Sequence, residues 1–534
     1  IIFLFFSLPL GEGWGGAYAQ TAPAIEWQNT IGGNNEDWFY SIQQTADGGY
    51  ILGGYSASNI SGDKTENSNG VLDYWIVKID SLGNIQWQNT IGGSSNDRLY
   101  SIQQTADGGY ILGGYSNSNI SGDKTENSNG GADYWIVKTD ATGNIQWQNT
   151  IGGSGTDDFR SIQQTSDGGY ILGGYSNSNI SGDKTENSIG FYDYWIVKTD
   201  ALGNIQWQNT IGGNNGDLLN SIQQTSDGGY ILGGFSSSNI SGDKAENCIG
   251  QEDYWLIKTD SFGSIQWQNT IGGTNKDFLR SIHQTTDGGY ILGGSSYSNI
   301  SGDKIENSNG DYDYWIVKTD VLGNIQWQNT IGGSNVDELH SLQQTSDGGF
   351  VLGGYSSSNI SGDKAENTSG VNDYWIVKTD ALGNIQWQNT IGGNALDNLF
   401  SLQQTADGGY ILGGHSDSNI SGDKSENCFG YFDYWIIKLF PDTITGILNF
   451  EIPNSNFQIK PNPLATQSTL TFSNPRKEKF VFTLYDITGR IMESVSTVND
   501  KIILEKGNKQ PGVYFFSLQN TGTGELFNGK IIVQ

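Results

Sequence analysis

The sequence predicts an all-β chain: a seven-bladed β-propeller followed by a small C-terminal β-sandwich. Three observations predict it. The first is repetition. Trp27, Trp87, Trp147, Trp207, Trp267, Trp327 and Trp387 lie 60 residues apart, as do Trp75, Trp135, Trp195, Trp255, Trp315, Trp375 and Trp435, with no insertion between copies. The second is that two strands of each copy are apolar on both faces, as a blade packed between two neighbours requires. The third is the way the array ends. It begins at Ile25 with a fourth strand that has no third before it, and it stops near Phe440 after a third strand that has no fourth. The N-terminal strand can therefore complete the last blade and remove the open edge. A solenoid would instead need distinct caps at both ends.

Each copy reads as four strands. In the first copy these are Tyr40 to Thr45, Tyr50 to Ser56, Asp73 to Asp80 and Ile85 to Ile91. Asp47-Gly48-Gly49 and Leu82-Gly83-Asn84 supply tight turns, since glycine accepts positive φ without strain. The two short turns share one face. The longer connections, fourth-to-first and second-to-third, share the other, where loop-borne function is expected.

Ile1 to Leu10 is almost wholly apolar, and Ala17-Tyr18-Ala19 fits a small-x-small cleavage site, so residues 1–19 read as a secretory signal peptide. No Met or basic n-region precedes it, which reads as an N-terminal truncation. The apolar run is too short to span a bilayer and no other stretch reaches about 18 residues, so no membrane insertion is expected. The propeller is assigned to residues 25–440, a linker to 441–456 and the second domain to 457–534.

The net charge of −30 is uneven. Residues 441–534 hold 9 Lys/Arg and 8 Asp/Glu, so residues 1–440 carry −31. Such a surface repels nucleic acid and anionic lipid. Cys248 and Cys428 occupy equivalent positions of different repeats where other copies have Ser68 or Thr368. In a ring they would be too far apart to bridge, and both read as replacements of serine.

The copies differ mainly in two windows. One follows the repeated Asp: Trp38-Phe39-Tyr40, Arg98-Leu99-Tyr100, Asp158-Phe159-Arg160, Leu218-Leu219-Asn220, Phe278-Leu279-Arg280, Glu338-Leu339-His340 and Asn398-Leu399-Phe400. The other precedes the third strand and includes Phe191-Tyr192, Asp311-Tyr312 and Tyr431-Phe432. Both fall toward the long-loop face. Aromatic and arginine side chains are frequent in them, as in binding hot spots. The candidate ligand-binding residues are therefore Trp38, Tyr40, Arg98, Tyr100, Arg160, Phe191, Tyr192, Arg280, Tyr312, His340, Tyr431 and Phe432. The competing reading is drift at exposed loop tips.

Asp63, Glu66, Asn67 and Asp73, with their repeat equivalents, could offer oxygen ligands to calcium. Their spacing is not that of an EF-hand, and ordering of a long loop by side-chain-to-backbone bonds explains them equally. The repeated tryptophans read as core between blades. His283, His340 and His415 are isolated replacements, and no Ser-His-acid set, HExxH or phosphate loop is present. A carboxylate pair suited to glycoside hydrolysis could still assemble in space. No enzyme is expected. The expected role is a binding or adhesion module for a glycan or protein, with a structural surface protein as the alternative. A monomer is expected.

After the linker, Ser468 to Phe472 and Phe480 to Tyr485 alternate in the manner of half-buried strands. Lys460-Pro461-Asn462-Pro463, Leu484-Tyr485-Asp486-Ile487-Thr488-Gly489-Arg490, Gly512-Val513-Tyr514 and the terminal Gly529-Lys530 segment resemble the C-terminal sorting domain of the type IX (Por) secretion system of Bacteroidetes. The resemblance implies export across the outer membrane, with the translocon and a sortase-like peptidase as partners, and a secreted or outer-surface location. The sorting residues it implies are Pro461, Asn462, Pro463, Tyr485, Asp486, Gly489, Arg490, Gly512, Tyr514, Gly529 and Lys530. The repeats themselves resemble the DGGYILGGYS…DYWIVKTD…GNIQW repeats of secreted bacterial propellers, a likeness that speaks to architecture more than to activity.

Overall fold

The computed structural model describes residues 21–442 and 457–533, except 461–463, 465, 486–489, 508, 511 and 523–525. The proposed signal peptide and most of the linker lie outside the described residues. The chain divides into two units, Ile1–Thr443 and Ile444–Gln534.

In the first unit, β1 is Ile25–Ile31, β2 Asp37–Gln44, β3 Tyr50–Ser56, β4 Asp73–Ile79 and β5 Ile85–Ile91. Strands β2 to β5 form one antiparallel sheet in sequence order, and five further four-stranded sheets repeat it. A seventh combines Asp397–Gln404, Tyr410–Ser416 and Asp433–Leu439 with β1 as its outer strand. The chain end thus supplies the strand that the last sheet lacks. Strands β3 and β4 are buried along their whole length, which agrees with their unbroken apolar character. Gly48 turns β2 into β3 at a φ of 84°, a left-handed value that other residues resist.

Each sheet is fixed to the next by the same side chains. The Tyr74 hydroxyl donates to the Trp135 carbonyl at 2.9 Å, and the two rings lie 4.8 Å apart. The pattern recurs from sheet to sheet until Tyr434 donates to Trp75 at 3.0 Å, which brings the series back to its start. Trp75 and its six equivalents are fully buried. A second series runs through glutamines. The Ala46 N–H donates to Gln104 Oε1 of the next sheet, and at the far end Ala406 N–H donates to Gln44. These two series thereby satisfy buried tyrosine hydroxyls and turn N–H groups across the sheet boundaries.

Strand β2 and its six equivalents surround a cavity of about 340 Å³, lined by Ile42 and Gln43 and their counterparts. Gln43 Oε1 accepts the Gln104 N–H at 2.6 Å. The same bond is made in six of the seven steps. The seventh is missing where His283 replaces the glutamine.

The second unit has two sheets, one of Phe457–Lys460, Gln467–Phe472 and Lys501–Glu505, the other of Ile491–Thr497, Phe480–Tyr485, Gly512–Asn520 and Leu526–Val533. Leu470 and Ile502 from the first sheet share a core with Phe482, Phe516 and Ile531 from the second. Strict in-out alternation along Phe480–Tyr485 and Lys501–Glu505 is what a sandwich with one solvated face per sheet requires. Among the described residues no helix is long and apolar enough to cross a membrane.

Candidate functional site

The first variable window is not a loop. Strand β2 begins at Asp37, three residues before the start expected from sequence, and carries the window inside it. The reason is a bulge. Phe39 pairs with Gly54 and Ser41 with Gly53, so Tyr40 is the extra residue. The same register shift occurs in all six other sheets. A bulge re-aims one side chain, and here it does so at a position that holds five residue types in the seven copies. The glycine pair opposite makes room. A Cβ on Gly54 would lie 2.0 Å from the Trp38 carbonyl, and one on Gly53 would lie 2.9 Å from Leu99 of the next sheet.

The three positions of the window have separate fates. The middle residues, Phe39, Leu99, Phe159, Leu219, Leu279, Leu339 and Leu399, are fully buried core, which corrects their placement on a loop face. The flanking residues form a girdle above the cavity. Tyr40 packs edge-on against Tyr100 at 4.8 Å and against Phe400 at 5.1 Å. His340 meets Phe400 at 4.6 Å. The Arg160 guanidinium lies 4.8 Å from the Tyr100 ring, within cation–π range. Asn220 donates to the Leu279 carbonyl at 2.7 Å. Arg280 and His340 both approach Glu338, at 4.0 and 3.7 Å.

The second window joins this girdle because each copy's window bonds to the next copy. The Asp37 N–H donates to the Phe432 carbonyl, and Asp97 to Leu72. Phe432 accordingly packs on Trp38 at 4.8 Å, and Tyr312 stacks on Phe278 at 5.8 Å. Tyr192 lies against Tyr175 at 5.3 Å and against Phe191 at 5.0 Å. Phe191 and Tyr431 project outward, 70% and 72% exposed.

A third variable position was missed from sequence. Tyr55, Tyr115, Tyr175, Phe235, Ser295, Tyr355 and His415 lie opposite the first window residue on the paired strand. Tyr55 stacks on Tyr40 at 5.5 Å, and His415 meets Trp38 at 4.5 Å. The signal was available in the YILGGYS segment, whose sixth residue changes while the glycines do not.

The electrostatics of the girdle are those of a dry site. Burial holds His415 down at about 3 and His340 well below its ordinary value, so both imidazoles are neutral at pH 7. Burial raises Asp158, although Arg160 at 3.5 Å opposes it. The Arg160 guanidinium also donates to the Tyr175 hydroxyl at 2.6 Å.

The candidate calcium ligands are occupied with the backbone. Glu66 accepts from Thr90 N–H, Asn67 from Ile60 N–H, Asp63 from Gly32 N–H, and Asp73 from Asn69 and Gly70 N–H. Among the described residues no three His, Cys, Asp or Glu side chains are grouped to hold a metal ion. Cys248 and Cys428 are free. Each thiol reaches the carbonyl that serine reaches in other copies, Ser236 O at 2.9 Å and Ser416 O at 3.0 Å. Trp27, on an outer strand, is half-buried and donates to the Ser81 carbonyl.

In the second unit, Tyr485 lies within hydrogen-bond distance of Ser517, 3.3 Å between hydroxyl oxygens, and the buried Tyr514 donates to the Gln510 carbonyl at 3.0 Å. Arg490 is exposed at the start of the following strand. Gly512, Gly529 and Lys530 lie on the two strands that pair at the sheet edge. Pro461, Asn462, Pro463, Asp486 and Gly489 lie outside the described residues.

Over 224 residues the chain is 25% identical to a regulatory protein, FlaEY, of Caulobacter vibrioides, a match spanning 38% of this chain and 23% of that protein. The chain therefore matches less than a quarter of that relative's length. Among solved structures, PorZ, a surface component of the type IX secretion system of Porphyromonas gingivalis, aligns with a TM-score of 0.39 and 11% identity over 94% of this chain and 60% of PorZ. A glycoside hydrolase of family 32 from Bifidobacterium adolescentis aligns with a TM-score of 0.26 and 8% identity over 95% of each chain. Neither structural likeness bears on fold or activity. Residues 458–534 match the family of secretion system C-terminal sorting domains, the same segment that forms the two-sheet unit. With that tail, of the type IX kind, this is a secreted or cell-surface protein.

Proposed function

We propose that the seven sheets are the blades of a closed β-propeller. We further propose that this propeller is a non-catalytic binding or adhesion module, delivered to the cell exterior by its sorting tail, which recognises a glycan or a protein through the girdle. The observation that carries this reading is the placement of variation. Copies that otherwise repeat nearly residue for residue differ at the bulge, at the residue opposite it and at the strand approach, and these positions meet around one axis. Exposed positions such as Val71 and Phe191 vary as well, but drift confined to solvent-exposed tips would not reach a half-buried, mutually packed layer. Closure is supported by the Tyr–Trp and glutamine series, each of which returns to its first member. Export would engage the translocon and a sortase-like peptidase through the C-terminal unit.

The test is retention of the purified chain on a glycan array and on immobilised surface proteins, repeated with Trp38→Ala. Trp38 touches Tyr55, His415 and Phe432. The reading expects selective retention that the substitution weakens at least tenfold. Selective retention unchanged in Trp38→Ala and in an Arg160→Ala variant would place the site elsewhere.

A further inference from the structure

The basic residues of the repeat region divide into two groups. Residues 1–440 contain 18 Lys and Arg. Fourteen are the two lysines repeated in every copy, Lys64 and Lys78 in the first. All fourteen are at most 4% exposed. The Lys78 set is paired with carboxylates, as Lys78 is with Asp47 at 3.0 Å. The Lys64 set is committed to Thr90-type hydroxyls or, for Lys304, to serines. The remaining four are Arg98, Lys276, Arg160 and Arg280. The three arginines stand in the girdle, and Lys276, just before the window of its copy, reaches the girdle's Phe278 ring at 5.8 Å. A region carrying a net charge of −31 has thus placed every basic side chain outside the repeated frame at one site.

Three of the four have carboxylate partners there. Arg160 lies 3.5 Å from Asp158, Lys276 lies 3.1 Å from Glu252, and Arg280 lies 4.0 Å from Glu338. Arg98 has none among the described residues. Its guanidinium stands 5.2 Å from the Tyr55 ring and 5.9 Å from the Tyr115 ring, with the Tyr100 hydroxyl as polar neighbour. Its Nε is buried without a hydrogen-bond partner. Asp158 is close enough to feel its charge but makes no ion pair with it. A half-buried guanidinium backed by aromatic rings, with no carboxylate bonded to it among the described residues, is a receptor for an anionic oxygen pair, which a guanidinium fork binds in bidentate fashion.

We propose that Arg98 and the tyrosines around it form a subsite for an anionic sugar. The proposal rests on the binding role argued above and names the ligand class. The sugar's carboxylate, sulfate or phosphate would meet the Arg98 guanidinium. Its C–H face would lie on Tyr55 or Tyr115, and the phenol hydroxyls would serve its hydroxyl groups. The clustered rings favour a compact sugar, whose C–H face can lie on a phenol ring, over an extended acidic peptide.

The test is a glycan array carrying neutral, uronate, sulfated and phosphorylated sugars and an acidic peptide, probed with the purified chain, with Arg98→Gln and with Arg98→Lys. Retention by one or more anionic sugars, weakened at least tenfold in Arg98→Gln and less in Arg98→Lys, is the expected result. The class retained separates carboxylate from sulfate and phosphate. Competition on the unmodified chain by free glucuronate against glucose gives the same answer without a variant. Equal retention of neutral sugars, or retention of the peptide alone, would overturn the anionic-sugar subsite while leaving a binding role intact. A blank array together with no captured surface protein would overturn both.

Discussion

Two layers line the inner strands, only two or three residues apart along each, and they obey opposite rules. In the lower layer Ile42, Gln43 and their counterparts repeat almost without change, and the glutamines hand a bond from one sheet to the next in six of the seven steps. In the upper layer Tyr40, Tyr100, Arg160, Asn220, Arg280, His340 and Phe400 comprise five residue types that share a position on a bulge. The lower layer must satisfy buried backbone groups across every sheet boundary, so each copy meets the same constraint. The upper residue has no ladder partner and can be almost any side chain that packs with its neighbours. Sequence freedom here follows hydrogen-bond bookkeeping rather than solvent exposure.

The comparison can be broken most severely through closure. Deleting residues 21–31 removes β1 and leaves Asp433–Leu439 as an open apolar edge, with Trp435 deprived of the Gln28 acceptor at 3.1 Å. Loss of a cooperative melt and aggregation on size-exclusion chromatography are expected. Next in size, Trp435→Ala should cost about 3–5 kcal/mol by denaturant titration, as for other fully buried aromatics. Trp38→Ala in the girdle, half-buried against three rings, should cost less, about 2 kcal/mol. Equal costs would mean the two layers are not distinct. His283→Gln should restore the missing step of the lower series and raise stability by about 1 kcal/mol. No gain would show that the glutamine series is incidental.

A pH profile sharpens the contrast between buried and surface carboxylates of the frame. Burial lifts Asp73 to about 6 and Asp133 to about 7, and the other five of that set likewise. A raised carboxyl binds its proton more tightly in the folded chain, so stability should grow as pH falls from 8 toward 5. Asp47 behaves oppositely. Its bonds to Thr45, Lys78 and Gly49 outweigh the opposing effect of burial, the largest single influence, and hold it at about 2. Its contribution is complete above the unfolded value and is lost as pH falls from about 4 to 2. The melting temperature should therefore pass through a maximum between these windows. A flat profile from pH 8 to 5 would contradict the buried set.

Much of the fold was legible. The second and fourth strands were bounded correctly because turn residues flank them, and the orphan strands at the array ends foretold the pairing of β1 with Asp433–Leu439. The first strand was placed three residues late, since a bulge interrupts the alternation that marks a strand. Gly53-Gly54 was its trace, as glycines inside a strand often are. The candidate residues were found by variation alone. That Phe432 would touch Trp38, or that Arg98 would make no ion pair among the described residues, depends on how neighbouring sheets meet, and no spacing within one repeat encodes that. The acidic loop was ambiguous in sequence because carboxylates that order backbone and those that bind calcium look alike until their partners are seen.

The most direct measurement uses a chain whose seven first windows all carry the triplet Leu218-Leu219-Asn220. The middle position stays apolar throughout, so the frame is kept while the girdle's variation is erased. Side by side with the unmodified chain on the same glycan and protein surfaces, it should melt cooperatively and retain nothing that the unmodified chain retains. Undiminished retention by this chain, or no retention by either, would contradict the assignment of binding to the girdle.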